Sequence, residues 1–143
     1  MHRHEHHSYH NNCHLKGSRL ATVTTVDELN LLIAYARSKG EKTGIWLDGN
    51  DIKNEGKWNW SNNNASIHPT YWHHGEPNGK RTENCLIISG SGNSWKWFDD
   101  SCKRSHYYAC QKNMQNSSEK QCLCLQNLLD ELISCKHYCK QPR

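Results

Sequence analysis

The sequence is poor in apolar residues: 34% of its 143 positions are hydrophobic, and the mean hydropathy is −1.00. A chain of this length makes one domain with at most a short extension. No apolar run approaches the roughly 20 residues that cross a bilayer, so nothing reads as a membrane span. The opening, MHRHEHHSYHNNCH, lacks the apolar segment of a secretory leader, so export is not encoded there. No C-x-x-C pair occurs, which sets a redox motif aside. The net charge of +4 is spread out, with no dense Lys/Arg block beside aromatics, and nucleic acid is not supported as a partner.

Six tryptophans and eight cysteines offset the thin apolar content, since aromatic burial and disulfides hold small cores together. The even cysteine number favours bridges in an oxidising, extracellular compartment. His2, His4, His6, His7, His10 and His14 crowd the start. Residues 1–12 read as a disordered polar tail; the competing reading is a transition-metal tail, because neutral imidazole binds zinc, copper and nickel. From Gly17, Ser18 to Val23 is a strand candidate, and Thr25-Val26-Asp27-Glu28 is a capping box. Leu29, Leu32, Ile33 and Ala36 follow at helical spacing, with Gly40 as a stop. Ile45-Trp46-Leu47 reads as a buried strand, residues 50–56 as a turn-rich loop, and Trp58-Asn59-Trp60 as alternation. Sequons at Asn59, Asn64 and Asn116 are glycan acceptors if the chain is secreted. Asn64 and Asn116 suit that role better than Asn59, which lies between two tryptophans.

The chemistry concentrates between Trp72 and Cys102. Oxygen-bearing side chains cluster at Glu76, Asn78, Glu83 and Asp99. Such hard donors suit calcium, which takes six to eight oxygens. Pro77 restricts the backbone between two of them, and a cis bond there aims both side chains at one point. Leu86-Ile87-Ile88 and Trp95-Lys96-Trp97 read as two strands that carry Asp99 back to Glu76 and Asn78. Glu76 and Glu83 as paired glycosidase carboxylates is a weaker reading, with no apolar pocket in view to raise either pKa. His73-His74 joining a glutamate around zinc is another, against plain solvation.

Trp46-Leu47-Asp48-Gly49-Asn50-Asp51, Glu55-Gly56-Lys57-Trp58, Glu76-Pro77-Asn78, Glu83-Asn84-Cys85, Trp97-Phe98-Asp99 before Cys102, and Tyr108-Ala109-Cys110 occur in an order that resembles the C-type lectin domain family. The resemblance spans residues 13–112. It implies an α+β fold of small antiparallel sheets, a flanking helix and a long calcium and sugar loop. In the family, residues matching Glu76, Asn78 and Glu83 hold calcium together with a Trp-Asn-Asp triplet, and vicinal sugar hydroxyls share the ion. The Glu-Pro-Asn order resembles the mannose, glucose, fucose and N-acetylglucosamine class. Asp51 and Glu55 match an auxiliary calcium position, left incomplete by Gly79 and Asn84. The resemblance also implies Cys13–Cys110 and Cys85–Cys102 bridges, the first closing a loop that contributes on the order of 4 kcal/mol.

Two departures follow. Phe98 stands where the triplet has asparagine, removing an amide whose charge-assisted bonds are each worth about 1.5–3 kcal/mol. The first strand and most of the first helix that the family places before Cys13 are expected to be missing.

After Lys112 the composition changes. Residues 113–143 read as a polar linker and a Cys-rich amphipathic helical tail, with Leu125, Leu128, Leu129, Leu132 and Ile133 on one face. Cys122, Cys124, Cys135 and Cys139 pair internally, bridge to a second chain or hold zinc; homodimerisation through this tail is the preferred reading. The sequence is therefore expected to encode a secreted, non-enzymatic, calcium-assisted lectin for glycans on cells or microbes. The alternative is a calcium-independent protein-interaction or structural matrix domain.

Overall fold

The computed structural model describes residues 6–39, 44–113 and 121–126. Helix α1 (His6–Leu15) comes first, so residues 6–12 are helical where a disordered tail and the loss of most of the first helix were expected; residues 1–5 of that tail lie outside the described residues. Ten residues with few apolar side chains make a marginal helix in isolation, so tertiary contacts supply what the sequence pattern does not. The His6 amide donates to the Cys102 carbonyl at 2.8 Å, and the Tyr9 ring stacks on Tyr108 at 4.5 Å. His6, Tyr9 and Cys13 are all buried.

Strand β1 (Arg19–Leu20) leads to helix α2 (Val26–Lys39). The expected capping box opens α2: the Glu28 amide donates to Thr25 Oγ1 at 3.2 Å, and Glu28 Oε2 accepts from the Thr25 amide at 3.2 Å. Leu29, Leu32 and Ala36 form its buried face. The expected stop at Gly40 lies outside the described residues.

The strands β2 (Ile45–Asn50), β3 (Asn59–Trp60), β4 (Cys85–Ser91), β5 (Ser94–Asp100), β6 (Tyr107–Asn113) and β7 (Gln121–Gln126) join β1 in one seven-stranded sheet, not several small ones. Strand β2 unifies it, pairing antiparallel with β3 and β4 and parallel with β6. Hairpin β4–β5 runs in unbroken register from Cys85 opposite Asp100 to Ser91 opposite Ser94. Leu125 and the cysteines at 122 and 124 fall in β7, so the expected helical face does not begin there. Cys122-Leu123-Cys124-Leu125 is a short apolar run between glutamines that periodicity alone does not assign to strand or helix, and the β6 edge supplies the pairing. The expected helix beyond Gln126, and the cysteines at 135 and 139, lie outside the described residues.

Side chains of period two bury both faces of the sheet. Ile45, Leu47, Leu86, Ile88 and Trp97 meet α2 and the aromatics of the long loop. On the other face Trp46, Ile87 and Tyr108 meet Tyr9, Leu20 and the bridges. Cys13–Cys110 closes 97 residues and Cys85–Cys102 closes 17, the pairing the resemblance implied.

Candidate functional site

The long loop is anchored before it reaches its oxygen donors. Trp72 bridges to Trp97 on β5, and the His73 amide donates to the Trp97 carbonyl at 2.9 Å. The Glu76 amide donates to the His73 carbonyl at 2.9 Å, closing a turn onto Glu76-Pro77-Asn78. The Glu76–Pro77 peptide is cis. A short 3-10 turn, Lys80–Thr82, then carries the chain to Glu83.

The structure brings Glu76, Asn78, Glu83 and Asp99 close to one another at this loop. Asp99 is buried on β5 and accepts from the Asn78 amide at 3.0 Å through Oδ1 and from the Gly79 amide at 2.7 Å through Oδ2. Asn78 Nδ2 donates to Glu76 Oε1 at 2.7 Å. Glu83 lies over Gly79, where an added Cβ would run into its carboxylate. Burial, then the Asp99 and Glu83 carboxylates, push Glu76 up to about 7. Burial and then Asp99 and Asp100 also raise Glu83, against the pull of Arg104. The sequence offered no pocket to raise a carboxylate; burial, with the neighbouring carboxylates adding to it, does so here.

Asp51 of the expected auxiliary pair is buried, and its Oδ2 accepts from the Gly56 amide at 2.8 Å. Its Oδ1 is buried with no hydrogen-bond partner among the described residues. Burial raises its pKa, and Asp99 adds to that. Glu55 is exposed.

Crowded, partly desolvated carboxylates with a neighbouring amide are a donor set suited to a hard cation. Among the described residues, no three His, Cys, Asp or Glu side chains form a metal-holding group as they stand. The primary set would draw on Glu76, Asn78, Glu83 and Asp99, of which Glu76 and Asn78 are now bonded to each other. Asp99 retains acceptor capacity, because each carboxylate oxygen offers about two lone-pair sites.

Phe98 lies opposite Ile87 and packs towards the cluster beneath α1, with the His73 imidazole stacked on it at 4.9 Å. His73 Nδ1 is 3.0 Å from the His74 carbonyl, so His73 serves the loop and covers Phe98. Asp100 does not replace the missing ligand: it contacts Arg104 at 3.1 Å and His106 at 2.7 Å. Strand alternation is the signal that separates it from Asp99.

Sequence reasoning missed buried Asp48. Its Oδ2 accepts from the Asn62 amide at 2.9 Å, its Oδ1 is 3.2 Å from His10 Nε2, and burial pushes it up to about 6. The acidic residue inside an otherwise apolar strand was the available signal.

A family model described as the lectin C-type domain matches residues 3–112. The chain is 38% identical over 103 residues to tetranectin from Homo sapiens, covering 69% of this chain and 50% of that protein. It is 30% identical over 112 residues to CD209 antigen-like protein C from Mus musculus, covering 77% and 59%. It thus spans little more than half of these curated relatives. Among solved structures, the mouse scavenger receptor C-type lectin carbohydrate-recognition domain aligns with TM-score 0.67 at 18% identity, covering 80% of this chain and 84% of that one. The C-type lectin domain of murine dendritic cell inhibitory receptor 2, in complex with N-glycan, aligns with TM-score 0.61 at 24% identity, covering 71% and 77%. A calcium-independent type II antifreeze protein aligns with TM-score 0.61 at 22% identity, covering 74% and 76%. At these identities the structures show the fold.

Proposed function

The chain belongs to the lectin C-type domain family, and from that premise we propose that it is a non-enzymatic, calcium-assisted carbohydrate-binding module. The observation that carries this reading is the meeting of Glu76, Asn78 and Asp99 through direct hydrogen bonds, with Glu83 folded over Gly79. Calcium, when bound, supplies positive charge to the crowded carboxylates and coordination for two adjacent sugar hydroxyls. Glu76 accepts a hydrogen bond from one hydroxyl while Asn78 donates to another, so the pair discriminates hydroxyl stereochemistry. Asp99 holds the loop backbone through the amides of residues 78 and 79. The Glu-Pro-Asn order points to mannose, glucose, fucose or N-acetylglucosamine.

The proposed setting is extracellular, with glycans on cells or microbes as ligands. Among the described residues no helix is long and apolar enough to cross a membrane. Pairing of two copies through the segment after Gln126 completes the reading, because linked weak sites gain avidity.

A second reading has its own observation. Phe98 packs on an apolar cluster beneath His73 and offers no oxygen to a cation, which favours a calcium-independent protein-interaction domain. A glycan array run in calcium and again in chelator separates the two. Binding to mannose-class glycans that chelator abolishes supports the lectin. Absent or chelator-insensitive binding removes it.

A further inference from the structure

The histidines at the start of the chain play no part in the oxygen-donor site, and α1 gives them a fixed arrangement. His10 and His14 are four residues apart on this helix, which puts their Cβ atoms about 5–6 Å apart on one face. That spacing lets two imidazoles share a metal. His14 is exposed and His10 is partly exposed.

His10 faces a buried carboxylate. Its Nε2 lies 3.2 Å from Oδ1 of Asp48, whose side chain is 2% exposed. Among the described residues no formed hydrogen bond reaches that oxygen, and an ionised carboxylate only accepts. A proton on Nε2, brought into line by a small ring rotation, would satisfy it and leave the Nδ1 lone pair free. A carboxylate behind a histidine in this manner is the usual support of a metal-binding imidazole, fixing its tautomer and raising its basicity.

The surroundings agree. His6 is 3% exposed, with its Nε2 on the Leu47 carbonyl at 3.0 Å, so burial keeps it from an ion arriving from solvent. Cys13, between the two histidines, is tied to Cys110 and offers no thiolate. The helix is fastened near both ends, by the His6 amide on Cys102 and by that same bridge.

We propose that α1 carries a transition-metal site in which His10 and His14 bind a divalent ion of the zinc, nickel or copper class, with Asp48 as a positioning residue. Imidazole nitrogen suits these metals. No three candidate side chains converge among the described residues, so the pair supplies two ligands. The exposed His14 ring turns to meet His10, and water or the exposed His7 completes the shell.

The test titrates Zn2+ into the full chain by calorimetry in excess calcium, which keeps the oxygen-donor cluster out of the result. His14→Ala, an exposed change that spares the fold, is expected to lower affinity at least tenfold, and His10→Ala to do the same. His73→Ala with His74→Ala, and His2→Ala with His4→Ala, are expected to leave it unchanged. In Asp48→Asn, the side-chain oxygen stays on the Asn62 amide and the NH2 faces His10, reversing the tautomer. Affinity then falls by roughly ten- to a hundredfold, and the His10 ring-nitrogen NMR shifts exchange their protonated and unprotonated positions. Wild-type Zn2+ affinity in His10→Ala/His14→Ala overturns the site. So does loss of binding in His2→Ala/His4→Ala alone. An unchanged His10 tautomer in Asp48→Asn overturns the role given to Asp48.

Discussion

Replacing Asp99 by asparagine removes one oxygen and one charge while keeping the shape of the side chain. In the native loop both oxygens accept backbone amides, at 3.0 Å from Asn78 and 2.7 Å from Gly79. An amide side chain accepts only one of these and turns its own NH2 towards the other. One part-buried donor then loses its partner, which costs about 1 kcal/mol. Working against that loss is relief of repulsion on Glu76, which Asp99 helps to hold near 7. The balance depends on pH. At pH 5 Glu76 is protonated and there is no charge repulsion for the substitution to relieve, so the full cost appears. At pH 8 Glu76 is ionised and loses a like-charged neighbour, so the cost shrinks.

The same linkage has a definite sign in the unsubstituted protein. The folded state raises Glu76 from 4.5 to about 7 and so binds its proton more tightly than the unfolded chain does. In chelator, this residue's contribution to stability therefore falls as pH rises from 4.5 to 7. Asp99→Asn flattens that slope. Urea unfolding in chelator at pH 5 and pH 8 measures both effects, and calcium calorimetry is expected to show at least a tenfold weaker ion. Equal destabilisation at the two pH values, or less than about 0.5 kcal/mol at pH 5, would refute the proposed bracing of the loop by Asp99.

Phe98→Asn is expected to raise calcium-dependent mannose affinity about ten- to a hundredfold in a competition assay, while lowering stability through lost packing on Ile87 and His73; unchanged affinity argues against the proposed donor set. His6 is buried and neutral, its pKa lowered by burial from 6.5 to about 4. Its contribution, about 3 kcal/mol, is present above pH 6.5 and lost as pH falls towards 4; His6→Gln, which can still donate to the Leu47 carbonyl, should lose this acid sensitivity in thermal melts. Cys13→Ser with Cys110→Ser is expected to cost about 4–5 kcal/mol by loop entropy, with protease cleavage appearing first near α1. In a eukaryotic secretory host, mass spectrometry is expected to find glycan on exposed Asn64 and none on Asn59, which is held in β3 between two buried tryptophans.

The sequence carried much of this architecture in local patterns. The Thr25–Glu28 box marked α2, and the apolar run Leu86-Ile87-Ile88 with the alternating Trp95-Lys96-Trp97 marked two strands. The ordered motifs from Trp46 to Cys110 identified the family and implied both bridges. Two failures share a cause. Helix α1 has a buried face of only His6, Tyr9 and Cys13, too sparse to show periodicity, and β7 was read as the approach to a helix because its pairing edge on β6 is not local. Neither segment is specified by its own residues.

What the sequence determined by itself was the supply of oxygen donors and the strands that return Asp99 to the loop, because side-chain chemistry and strand period are local properties. Tertiary structure decided which atoms those donors meet: Asp99 holds two backbone amides, Phe98 lies under His73, and Asp48 comes to face His10. Such pairings join positions 20 to 40 residues apart, as with Gly79 and Asp99 or His10 and Asp48. Only the assembled sheet, with its buried carboxylates, makes those distances short and their charges strong.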